Sequence, residues 1–181
     1  MWLTDSKYEE IKAEIAYLLK AYGICHLPII GFELAAKMGI ILRPYSSLSE
    51  KKRLRVMELS EDGLYFEPGD GTERIYYNDK KSYERQNWTM LHEIGHCVLG
   101  HTADMDADEA EAEANFFAKY IVAPPPLVDC IHPTCAEDIK VVFGLSWEAA
   151  EYAFNYYKKW RNLERGYTDY EKVILYQFQS A

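Results

Sequence analysis

The eleven residues Leu91 to His101, LHEIGHCVLGH, constrain the fold of this chain more than any other stretch. His92 and His96 stand four apart with Glu93 between them, and Trp88, Leu91, Ile94, Val98 and Leu99 recur around them at helical spacing. Residues i and i+4 of a helix share a face, so the two imidazoles can converge on one ion, which imidazole nitrogen suits when that ion is Zn²⁺. Glu93 projects about 100° away on the 3.6-residue helix. That is too far round for a third ligand, but well placed to take a proton from a nucleophilic water. Composition alone yields such a motif in roughly 1% of chains of this make-up. The plainer reading, histidines that merely cap or hydrogen-bond, is weakened by the strongly patterned helix and by Gly95, which permits close approach by another segment.

A hydrolytic zinc needs three protein ligands and an open position. A third histidine at the spacing HExxHxxGxxH is one solution, and this chain departs from it: Gly100 falls one place late and His101 one place early. His101 reads instead as a residue at the helix C-terminus. The other solution is a carboxylate from a following helix, and the run DADEAEAEAN at 106–115 offers several. Glu111, Ala114, Asn115, Ala118 and Val122 form one stripe with small residues, which would let that helix lie close to the HEIGH helix. Glu113 falls with Phe116, Phe117 and Tyr120 on a bulkier side. Glu111 is therefore the expected third ligand and Glu113 the fallback, with Asn115 expected to orient a histidine. Asp108 and Glu109 read as solvated first-turn residues favoured by the helix dipole.

Around this centre the patterns predict an α+β chain, with a small, mainly antiparallel three-stranded sheet packed on a helical bundle. Apolar periodicity predicts a helix over 5–22, opened by a Ser6–Glu9 capping box, and a short one near 32–37. A strand is expected at 40–43 and a β-hairpin with strands near 63–67 and 73–78. The HEIGH helix should span about 82–99 and the ligand helix about 106–122, the latter stopped by Pro124-Pro125-Pro126. Thr134 and Glu137 have capping-box spacing, opening a helical region over about 134–161 that continues past Gly144 and a cap at Ser146. The β-favouring tail EKVILYQFQ is expected to add an edge strand. No linker or repeat interrupts residues 1–181, which reads as one domain.

From the HEIGH run outward the chain resembles the ImmA/IrrE metallopeptidases of bacteria, phages and integrative elements. RIYYND, TMLHEIGHCVLGH and EAEANFFAKYIVAP are similar to that family's strand, HExxH helix and third-ligand helix, in order. LPIIGFELAAKMGIILRPYSSL resembles its opening region and FGLSWEAAEY its closing one. Asn87-Trp88-Thr89 departs from the family's usual Arg-Phe-Thr run, and the loop after His101 is short and acidic. The resemblance implies a zincin-like fold and a gluzincin-like zinc endopeptidase, with His92, His96 and Glu111 as metal ligands and Glu93 as catalytic base. It further implies a protein substrate, a helix-turn-helix transcriptional repressor. A non-proteolytic anti-repressor that binds such a partner is the alternative. Tyr76, Tyr77, His101 and His132 are open choices for an oxyanion donor.

Charge and composition narrow the partners. Twenty basic against 29 acidic residues give −9, which disfavours a nucleic-acid surface. Six carboxylates fall between Asp104 and Glu113, an acidic rim suited to basic substrates. The opening MWLTDSKYEE lacks the layout of a secretory signal, no run approaches a membrane span, and four irregular cysteines suit a reducing compartment; a cytoplasmic protein is expected. Four further features read most simply as structure. Lys51, Lys52, Arg53 and Arg55 suit a solvated face. Cys130, His132 and Cys135 lack a fourth metal ligand, and Cys97 suits a packed thiol. The helix–turn–helix rhythm over 137–160 carries aromatics where DNA-reading residues would stand.

Overall fold

The computed structural model describes residues 3–102 and 104–179. In chain order the elements are α1 (Asp5–Ala21), α2 (Gly31–Met38), β1 (Ile41–Pro44), α3 (Glu50–Leu59), β2 (Gly63–Phe66), β3 (Arg74–Tyr77), α4 (Tyr83–Val98), α5 (Ala107–Val122), α6 (Pro125–Cys130), α7 (Ala136–Phe143), α8 (Trp147–Arg161) and α9 (Asp169–Gln179), with a 3₁₀ turn at Tyr45–Ser47. This is an α+β chain with one small sheet. The contacts of the described residues gather into two compact units, one of residues 30–115 and one of residues 3–29 with 116–179.

The first unit holds the sheet, in the order β1-β3-β2. The expected hairpin forms: β2 runs antiparallel to β3, pairing Gly63 with Tyr77 and Phe66 with Arg74. Gly69 and Gly71, at φ of +78° and +76°, take the left-handed turn conformations that residues with a Cβ resist. The other ladder is parallel, with Ile41 opposite Arg74 and Pro44 opposite Tyr77. The sheet is therefore mixed rather than mainly antiparallel, because β1 enters β3 from the far side after an intervening helix rather than through a hairpin.

Helix α4 lies on this sheet and against α2. Ser82 caps it by accepting from the Arg85 N–H, and the Asn87 side chain accepts from the Gly31 N–H at 2.7 Å, tying the start of α2 to α4. Met90, Leu91 and Ile94 are fully buried with Leu34 and Ile75, while Trp88, Val98 and Leu99 are only half-buried. Two glycines make the close approaches. A Cβ on Gly31 would lie 2.8 Å from Met90 Cβ, and one on Gly63 would fall inside 3.0 Å of Thr89 Cγ2. By contrast α3 buries none of its residues, so its basic run is a solvated face.

The second unit is helical. In it α1 packs on α9, α7 on α8, and α6 on both α8 and α9, around Ile11, Ile15, Leu19, Phe117, Val128, Phe143 and Ile174. Each such side chain contributes about 1.5–3 kcal/mol by leaving water. Three local expectations change here. Thr4, not Ser6, caps α1, accepting from the Lys7 N–H. Asp138, not Glu137, completes the box at α7, accepting from the Thr134 and Cys135 N–H groups at 2.7 and 3.1 Å. The tail is helix α9 rather than an edge strand. Its Glu171 and Ile174, three apart, are both buried, and Glu171 accepts from Arg165, the Thr168 N–H and the Trp160 indole. Tertiary partners on one helical face override the β preference of Val173, Ile174, Tyr176 and Phe178. Among the described residues no helix is long and apolar enough to cross a membrane.

Candidate metal centre

The centre lies wholly within the first unit and is built by three elements. Helix α4 presents His92, Glu93 and His96, the opening turns of α5 present Glu111, and β2 supplies a backbone N–H. The i, i+4 spacing does what helix geometry requires: the Nε2 atoms of His92 and His96 stand 3.1 Å apart. The Glu111 carboxylate meets both, with Oε2 3.5 Å from His92 Nε2 and Oε1 3.4 Å from His96 Nε2. Two ligands about 2.05 Å from a tetrahedral ion lie about 3.3 Å from each other, so these separations match the edges of a tetrahedral zinc site. Among the described residues this is the one group of three or more such side chains able to hold a metal.

Burial sets the electrostatics. The histidine side chains are 14% and 15% exposed while that of Glu111 is 58% exposed, so the carboxylate stands on the solvent side of the pair. Burial pushes the His96 imidazole down to about 4, helped by the neighbouring His92 and His101. Burial likewise lowers His92, outweighing the opposing pull of Glu111. Both rings are thus neutral at physiological pH, with the lone pairs that metal binding needs.

Glu93 points elsewhere on the helix, as its 100° offset dictates, and is 6% exposed. Its Oε2 accepts from the Tyr65 N–H of β2 at 2.7 Å. Burial raises the Glu93 carboxyl to about 7, with Glu111 and Asp62 adding to the rise and the Tyr65 N–H opposing it. A carboxyl poised there can both take and give a proton near neutrality.

Glu113 does not join the group of three. It sits one turn-face away on His101, with Oε2 3.1 Å from His101 Nε2, and the other nitrogen of that ring is 2.9 Å from His96 Nδ1. His101 is therefore engaged rather than free to act as an oxyanion donor. Asn115 makes a local bond instead of orienting a histidine, its amide donating to the Glu111 carbonyl at 2.7 Å. Cys97 turns away to donate to Glu73 Oε1 at 3.0 Å, and burial beside that carboxylate pushes its thiol up to about 12. That agrees with a packed, protonated thiol. Tyr77 packs its ring edge-on against Phe32, and His132 belongs to the second unit. Cys130 and Cys135 are free thiols and form no metal group with His132 among the described residues.

The contact that sequence reasoning missed is His101 with Glu113. Its signal was present in Gly100-His101, since a glycine just past a helix end turns the next residue back over the last turn.

Comparison with protein families matches residues 50–155 to the Peptidase_M78 family, the IrrE N-terminal-like domain. The match covers 106 of 181 residues (155 − 50 + 1) and contains every side chain of the centre. No curated protein matches the chain. The chain belongs to the Peptidase_M78 family, with the metallopeptidase-type function that this membership carries.

Proposed function

We propose that this family member is a zinc endopeptidase that cuts a regulatory protein in the cytoplasm, and that a helix-turn-helix repressor is its substrate. One observation carries the reading: two neutral imidazoles and a carboxylate converge at tetrahedral spacing beside a buried carboxyl of near-neutral pKa. His92, His96 and Glu111 would hold the zinc, whose chemistry is Lewis-acid activation of a water and of a peptide carbonyl.

Glu93 handles the proton. The Tyr65 N–H occupies its Oε2, which leaves Oε1 to take the proton of the attacking water and to deliver it to the departing amine nitrogen. Burial holds the Glu93 carboxyl near neutrality, at about 7, which suits a group that takes a proton in one step and gives it up in the next. The exposed carboxylates of Asp104, Asp106, Asp108 and Glu109 favour basic chains, and repressors that bind DNA are basic.

The test is cleavage of a purified basic helix-turn-helix repressor by zinc-loaded protein, read by mass spectrometry of new termini. Wild type should cut at a defined bond, and Glu93→Gln should bind the repressor and leave it intact. Equal cutting by Glu93→Gln would remove Glu93 from the chemistry. Release of the repressor from DNA by Glu93→Gln, with the repressor uncut, would favour the non-proteolytic anti-repressor.

A further inference from the structure

We infer that His101 and Glu113 are positioning residues that hold the His96 ring with its Nε2 lone pair on the metal centre. The inference rests on the zinc site proposed above and assigns two side chains that the motif does not contain.

The proton count follows from the contacts. His96 Nδ1 and His101 Nδ1 are 2.9 Å apart, so one proton lies between two nitrogens and one ring must accept. The other nitrogen of His101 faces Glu113 Oε2 at 3.1 Å. A carboxylate accepts only, so it draws the His101 proton to Nε2 and leaves the His101 Nδ1 lone pair to accept from His96 Nδ1–H. His96 then carries no proton on Nε2, the atom that stands 3.4 Å from Glu111 and 3.1 Å from His92 Nε2. Carboxylate, imidazole and ligand imidazole thus form one chain that selects the metal-binding tautomer and fixes the ring plane.

Burial gives this chain weight. The His101 and Glu113 side chains are each 4% exposed, so neither can exchange its partner for bulk water without opening the unit. The backbone explains how a residue beyond the helix reaches back. Gly100 has φ of +68°, and the turn is closed by Gly100 N–H to the Cys97 carbonyl at 3.2 Å and His101 N–H to the His96 carbonyl at 3.0 Å. That is a Schellman ending, and it lays His101 over the ring of His96. The contrast with His92 is instructive. Its Nδ1 is buried and has no hydrogen-bond partner among the described residues, so the chain orders one ligand of the pair.

The test measures zinc affinity by competition with a chelator, on full-length wild type, His101→Phe, Glu113→Gln and the double variant. Circular dichroism and thermal midpoint check that each is folded. Removal of such a partner weakens metal binding about 10–100-fold. His101→Phe, which fills the space without a lone pair, should lie near the hundredfold end. Glu113→Gln keeps an acceptor and loses the charge, and should lie near tenfold. The double variant should resemble His101→Phe alone, because the route from the Glu113 carboxylate to His96 runs through the His101 ring.

A second readout needs no metal. Nitrogen-15 spectra of the His96 ring in metal-free protein should show the proton on Nδ1 in wild type, with Nε2–H appearing in His101→Phe. A folded His101→Phe with wild-type affinity, or wild-type His96 protonated on Nε2, overturns the inference and leaves the zinc site standing. Wild type that takes up no zinc overturns the zinc reading and the inference together.

Discussion

Replacing Gly63 with alanine should disturb the join between sheet and HEIGH helix in a measurable way. The added Cβ would fall inside 3.0 Å of Thr89 Cγ2, 3.1 Å from the Tyr76 carbonyl oxygen and 3.6 Å from Glu93 Cγ. Carbon pairs rest at about 3.5–4.0 Å, so strand and helix must part by at least about 0.5–1 Å. Neither neighbour yields easily. Thr89 is buried and β-branched on a helix, and the Tyr76 oxygen belongs to the ladder partner of β2.

Overpacking of this kind costs about 1–3 kcal/mol. In a chain of this size that lowers the thermal midpoint by roughly 2–12 °C. Thr89→Ser removes the offending methyl, so Gly63→Ala with Thr89→Ser should regain more than half of the loss. The same shift would stretch the 2.7 Å bond from Tyr65 N–H to Glu93, two residues along β2. The assay is thermal and urea unfolding by circular dichroism of the two single variants and the double. A Gly63→Ala midpoint equal to wild type, or purely additive effects in the double variant, would refute the packing argument.

Other perturbations have equally definite outcomes. Glu171 shows opposed effects: burial raises its pKa, but bonds from Arg165, the Thr168 N–H and Trp160 more than offset this and leave it below the ordinary glutamate value. A depressed folded pKa means stability that is present above the unfolded value and lost as pH falls through the folded one. Glu171→Gln should therefore cost about 2 kcal/mol at pH 7 in urea titrations, with a smaller difference from wild type below pH 4. Gly100→Ala meets open space and suffers only the +68° backbone, costing about 1 kcal/mol, and Gly100→Asn should cost less. Both would be read as shifts in urea midpoint, together with weakened zinc affinity wherever the turn relaxes. Glu93→Gln should retain zinc at wild-type affinity, measured by chelator competition, while losing hydrolysis.

What the sequence made legible was what local geometry decides. Two histidines four apart must share a helix face, and Leu91 and Ile94 mark which face turns inward. Glu111 could be preferred over Glu113 because its helical stripe carries Ala114 and Ala118, which are buried without bulk, and the carboxylate meets both imidazoles. Hidden from that reasoning were features set by partners far away in sequence. The tail EKVILYQFQ reads as an edge strand until Arg165 and Trp160 are seen to hold Glu171 on one face of a helix. The parallel ladder of β1 depends on where a crossover returns, which side-chain alternation does not encode. His101 was weighed against a distant motif spacing, whereas its place follows from the Schellman turn at Gly100 and the buried carboxylate of Glu113.

If His92, His96 and Glu111 hold zinc, the metal stoichiometry left after dialysis against a weak chelator depends on all three side chains. Wild type and Glu93→Gln should each retain about one zinc per chain. His92→Ala and Glu111→Ala, shown by circular dichroism to be folded, should retain far less. Zinc absent from wild type, or retained equally by His92→Ala, would mean that these side chains do not form the metal site.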